Sequence, residues 1–157
     1  MKNIYALEGK NRYDLDSFFN EFAKAVNAPN GYFGRDLMQF DDCLFGGFGL
    51  EAPCEIIWKE SNLSKEKLDC NMLREYYEIE RINCEKGLVN ELKELHEGGR
   101  KDAKEDECFF YDMLNISKYM IEKAENGEMT MFDEIVETIK SVTNRARLGW
   151  IVDLKLE

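Results

Sequence analysis

Apolar positions recur along this chain with two periods, and the alternation between them predicts its elements. Asn3 to Leu7, NIYAL, is a short apolar-rich run closed by Glu8-Gly9-Lys10-Asn11, which predicts a first strand over 3–7. Asp14 or Asp16 can cap the element that follows, where Leu15, Phe18, Phe19, Phe22 and Val26 repeat at helical spacing and predict an amphipathic helix over 15–27. Ala28-Pro29-Asn30-Gly31 ends it, because the residue before proline is pushed away from helical angles and Asn-Gly turns readily. Leu37, Phe40 and Leu44, at i, i+3 and i+7, then predict a short helix from Asp36 to Phe45.

Pro53 to Lys59 is a compact β-prone run and predicts a second strand over 54–58. From Ser61 the spacing is helical again, with Ser64 placed to cap KEKLDCNML. Near the C-terminus, Thr130 and Asp133 resemble a capping box ahead of Phe132, Ile135, Val136 and Ile139, which predicts a helix over 131–142. Trp150 to Leu156 alternates and predicts a third strand. Strands separated by helices require crossovers, so the fold class is α/β, a three-stranded parallel sheet packed with helices.

Residues 69–129 break this rhythm, with charge concentrated in the middle and aromatics at both ends, and read as a helical insertion before the last helix. Leu88, Leu92 and Leu95 form one expected stripe, ending at Gly98-Gly99, and Phe109, Met113, Ile116 and Met120 form another. The run from Gly98 to Glu107 between them is expected to be mobile. The whole of 1–157 is read as one domain carrying this insertion.

Charge narrows the partner. Thirty-two acidic residues against 21 basic give a formal net charge of -11, which repels phosphate backbones and favours a basic protein over nucleic acid. No apolar run approaches the about 18 residues needed to span a bilayer, and MKNIYALEGK breaks before a signal core could form, so we expect a cytoplasmic protein with no membrane partner. The five cysteines, at 43, 54, 70, 84 and 108, include no CxxC pair and suggest reduced thiols, with Cys43, Cys54 and Cys108 as candidates for burial.

Candidate chemistry is sparse. His96, the single histidine, lies beside Glu94 and Glu97 in a charged helix end and reads as a surface residue, so no catalytic residue is assigned. Gly46-Gly47-Phe48-Gly49 has neither phosphate-binding spacing, and no EF-hand-like oxygen pattern occurs, so no cofactor and no metal site is expected. Asp41-Asp42 and EYYEIE pair carboxylates without identifying a general acid and base.

What stands out is Gly31 to Gly49, GYFGRDLMQFDDCLFGGFG. Gly34 and Gly46-Gly47 mark sharp turns on either side of a helix that carries Asp36, Asp41 and Asp42, while Met38 and Asp42 share a face away from the apolar stripe. Such a face can be merely solvated, or it can recognise a partner.

The run APNGYFGRDLMQFDDCL, with IIWK behind it, resembles the barstar family of small cytoplasmic inhibitors of barnase-type ribonucleases, apart from one extra residue after Pro29. The likeness covers residues 1–68 and 130–157; the middle has no counterpart in short family members. It implies a barstar-like fold without enzymatic activity and a basic partner, a ribonuclease or related toxin nuclease, whose cationic site receives acids from the helix and the loop before it. Carried over by position, the partner-binding residues are Tyr32, Gly34, Asp36, Met38, Asp41, Asp42, Phe45 and Gly46. Four positions depart from the family pattern. Met38 stands where the family has its deepest-reaching aspartate, Asp41 replaces a tryptophan, Gly47 occupies an aromatic position beside Phe48, and Ser141 stands where the last helix has an acid. A non-inhibitory interaction module on the same fold, or a small enzyme, are the alternative readings.

Overall fold

In the computed structural model, which describes residues 2–11 and 14–157, strands β1 (Asn3–Glu8), β2 (Cys54–Lys59) and β3 (Val152–Leu156) form one sheet in the order β1-β2-β3. Both pairings are parallel, with Tyr5 opposite Ile56 and Ile56 opposite Leu154. The third strand begins at Val152 rather than Trp150, whose indole packs on Gly46 and donates to the Leu44 carbonyl. Helices α1 (Leu15–Ala25), α2 (Leu37–Cys43), α3 (Ser61–Lys67), α4 (Cys70–Glu97), α5 (Phe109–Glu125) and α6 (Met131–Arg145) complete the α/β order. None of the described helices is long and apolar enough to cross a membrane. The chain divides into two compact units, Met1–Asp69 with Met131–Glu157, and Cys70–Thr130.

In the first unit alternate residues of β2, Cys54, Ile56 and Trp58, are buried, and the helices close over them. Phe18 of α1 and Phe132 of α6 reach the Trp58 ring, at 5.2 and 4.9 Å between centroids. Phe40 of α2 has no exposed surface and sits 5.0 to 5.7 Å from the rings of Phe18, Phe19, Phe22 and Phe33. These are edge or tilted contacts, the geometry in which ring quadrupoles attract, so α2 is anchored by aromatic packing as well as by burial.

Asp14 caps α1, its carboxylate accepting from Ser17 N at 2.7 Å, and this bond holds its pKa below the usual value. Asp14→Ala should lower stability by about 1 kcal/mol, the usual cost of losing such a cap, as read from urea unfolding at neutral pH.

Ser64 is no cap. It lies fully buried inside α3, where its hydroxyl accepts from Trp58 Nε1 at 2.9 Å and donates to the Gly9 carbonyl at 3.1 Å. A serine near a helix start serves either purpose, and here two buried polar groups decide which. α3 then stops at Leu68, so KEKLDCNML is not one helix. Met131 and Phe132 donate to the carbonyls of Asp69 and Leu68, which ties together the two points where the chain leaves and re-enters this unit.

The second unit is a pair of helices. α4 runs 28 residues from Cys70, well before the expected stripe at Leu88, and in its first half only Leu73 is buried. Cys84, Leu88, Cys108 and Leu114 form a small core, against which Leu92, Leu95 and Phe110 pack. Half of the stripe expected on α5 holds: Met120 is buried and Met113 packs against this core, whereas Phe109 and Ile116 point to solvent and Leu114, Ser117, Ile121 and Ala124 are buried in their place. Glu91 fixes the start of α5 by accepting from the backbone N–H of Phe109 and Phe110. Gly98 to Glu107 is a folded turn rather than a bare loop. Arg100 N donates to Leu95 O, Arg100 pairs with Glu107 at 3.1 Å, and His96 Nε2 lies 2.9 Å from Ala103 O.

All five cysteines are unpaired; Cys43, Cys54 and Cys108 are buried, and so is Cys84. Burial pushes the thiols of Cys43 and Cys54 up to about 11. Above the ordinary thiol range the unfolded chain therefore loses these protons before the folded one does, so stability should fall as pH rises through roughly 9 to 11. Urea unfolding across that range, compared with Cys43→Ala and Cys54→Ala, checks the slope.

Candidate functional site

The loop entering α2 is shaped by close contacts. Asn30 and Gly31 adopt positive φ after Pro29, and Phe33 turns inward to lie 4.6 Å from Phe22. Gly34 has φ of 89°, and a side chain there would meet the Phe40 backbone nitrogen at 2.5 Å, so this position accepts only glycine without moving the helix. Asp36 then caps α2, accepting from Gln39 N at 2.8 Å. Gln39 in turn binds the loop, its Oε1 accepting from Arg35 N at 3.0 Å and from the Tyr32 hydroxyl at 3.1 Å. Loop and first turn of helix form one hydrogen-bonded piece.

α2 buries Leu37, Phe40 and Cys43, so Met38, Gln39 and Asp42 face water. Met38 is 54% exposed. Asp42 is exposed and has no ion pair among the described residues. Asp41 points to the other side and meets Arg145, the last residue of α6, in a two-pronged pair. Nη1 donates to Oδ2 at 3.0 Å and Nη2 to Oδ1 at 2.5 Å. The guanidinium also donates through Nε to Ser141 Oγ at 3.1 Å and lies 5.0 Å over the Phe45 ring. Its bond to Asp41 raises its pKa further above the already high arginine range.

After α2 the chain crosses the glycine turn. Gly46, with φ of 110°, rests on Trp150, whose indole would stand 3.1 Å from any Cβ there and whose Nε1 donates to Leu44 O at 2.9 Å. The Arg147 guanidinium stacks 4.4 Å over the Trp150 ring. Gly47 is open to solvent, and Phe48 tilts against Tyr32 at 5.9 Å.

The eight candidate residues thus take different roles. Tyr32, Met38 and Asp42 present groups to solvent, with Tyr32 partly covered. Gly34 and Gly46 shape the two turns, Asp36 caps the helix, and Asp41 and Phe45 both hold Arg145. Gln39, Trp150 and Arg145 are essential to the geometry and carry no short-range sequence signal, since each acts through a residue distant along the chain or through an ordinary polar contact. Among the described residues no three His, Cys, Asp or Glu side chains cluster as a metal site would. What this face offers is a rigid, mixed surface of one exposed methionine and one exposed carboxylate, suited to pressing against another macromolecule.

A family model described as Barstar (barnase inhibitor) matches residues 3–86, more than half of the chain and every candidate residue above. No curated protein and no solved structure gives a match.

Proposed function

The chain belongs to the barstar family, and from that premise we propose that it binds and inhibits a ribonuclease or related toxin nuclease through the Met38–Asp42 face of α2 and the loop before it. The observation that carries this reading is the exposed face itself. Two glycine turns and the Gln39 bonds hold it rigid, so little ordering entropy opposes docking. A nuclease must bind the phosphates of its substrate, so its cleft is cationic, and an inhibitor with an exposed acid and a net charge of -11 is attracted to it.

In this reading the protein is a binder without catalytic activity and works in the cytoplasm, where it shields cellular RNA. Met38 at the centre of the face adapts it to a partner with an apolar contact where the family places an acid. A non-inhibitory interaction module would use the same face without blocking cleavage.

Titrating the protein into a barnase-type ribonuclease and into the nuclease recovered by pull-down from the source cell, with RNA cleavage as the readout, tests the proposal. Cleavage is expected to stop at one equivalent of inhibitor for one of these enzymes, with association slowed by added salt. Binding without loss of cleavage would leave the interaction module, and no binding to either enzyme would sink the reading.

A further inference from the structure

We propose that Arg145 is a specificity-determining residue of the partner face, an internal counter-ion that occupies Asp41 and so selects against nucleases with strongly cationic sites. The inference rests on the binding reading above. Its basis is that one guanidinium joins two elements: Asp41 of α2 and Ser141 of α6, 100 positions apart in the chain, are both bound by Arg145. Three hydrogen bonds and the stack on Phe45 hold it.

Both oxygens of Asp41 are taken by the fork, one Nη on each. A partner cation arriving at this carboxylate would have to displace a guanidinium held from three sides, or sit beside it and be repelled. The local charge of Asp41, Asp42 and Arg145 together is therefore that of one acid and not two. Ser141 completes the device because its hydroxyl accepts the Nε proton while donating to Thr138 O, which leaves the guanidinium in place without a second carboxylate to bind a nuclease. The matching partner surface carries one cation for Asp42 and, against Arg145, a neutral or acidic group.

Barnase is the probe, since the matching family is described as its inhibitor and a nuclease must hold phosphates in a cationic cleft. Binding is measured by stopped flow and at equilibrium over a range of salt, in the Met38→Asp chain as parent because that substitution returns the family acid. Asp42→Asn should weaken binding by about tenfold or more, because it removes the one uncovered carboxylate, and Asp41→Asn should weaken it too, because it frees Arg145 as an unpaired cation on the same face. Arg145→Gln should bind on the order of tenfold more tightly, chiefly through faster association and with a steeper salt dependence, since it unmasks a carboxylate. Arg145→Lys, which keeps the charge but loses the fork and the stack, should fall between the parent and Arg145→Gln. Asp41→Asn with Arg145→Gln should return to the parent, having no carboxylate to unmask.

A merely structural Arg145 would leave association rates and salt slopes unmoved. The inference is overturned if Arg145→Gln binds no faster than the parent, or if Asp41→Asn with Arg145→Gln binds as tightly as Arg145→Gln alone. Absence of barnase binding by both the wild type and the Met38→Asp chain is a different result, which removes the ribonuclease reading and this inference together.

Discussion

Phe40→Ala is expected to lower the free energy of unfolding by about 3–5 kcal/mol, the range for removing a buried aromatic ring from a core that only partly collapses. Phe40 has no exposed surface and touches four other phenylalanines, three on α1 and one in the loop before α2, so the vacated space is walled by rings that cannot all move inward. By contrast, the Asp41–Arg145 pair is nearly as exposed as it is buried, and Asp41→Asn should cost no more than about 1 kcal/mol despite its good geometry. Urea titrations of both variants should separate these effects clearly. A Phe40→Ala loss below about 1 kcal/mol would mean that α2 is held mainly by its caps and turns, and that the partner face is less dependent on the aromatic core than its packing implies.

The parts of the molecule that were legible in the sequence are those whose apolar residues keep one period and bury one face. The spacing of Phe18, Phe19 and Phe22 placed α1, and that of Phe132, Ile135 and Ile139 placed α6, both to within a turn of their ends. The three strands and their parallel order followed from the crossovers. Where periodicity failed, a different interaction had taken over. The first half of α4 has few buried residues, so no stripe announced it. Ser64 at the beginning of a helical pattern looked like a cap, although a tryptophan indole and a distant carbonyl claim its hydroxyl. The same ambiguity affects the acids of the candidate site. Asp36, Asp41 and Asp42 are alike in the sequence, but the first caps a helix, the second pairs with an arginine 104 residues away, and only the third stands unpaired in solvent. Local spacing could show that the face was acidic. It could not show which carboxylate was left unpaired.

Asp42→Ala is therefore the substitution from which the largest loss of partner binding is expected, about 2 kcal/mol or more, or at least roughly thirtyfold in affinity. In a docked complex Asp42 would be desolvated against a cation of the nuclease, and truncating it would leave that cation buried without its counter-charge, a larger penalty than the attraction alone. Asp36 should contribute less, because one carboxylate oxygen is already spent on Gln39 N and Asp36→Ala acts first on the start of α2. Met38 gives the complementary test, since it sits one turn before Asp42 and is exposed. Met38→Asp places a second acid beside Asp42 on the same helix face, where the two would repel each other unless a partner supplies cations to both. Against barnase the substitution should strengthen inhibition. Against a partner with an apolar contact at this point it should weaken binding, because an ionised carboxylate would be buried without a partner. Inhibition of RNA cleavage by the wild type, Asp42→Ala and Met38→Asp, each against barnase and against the co-purified nuclease, distinguishes the two cases. If Asp42→Ala binds as tightly as the wild type to whichever enzyme is inhibited, recognition lies on another face and the exposed acid of α2 is only solvated.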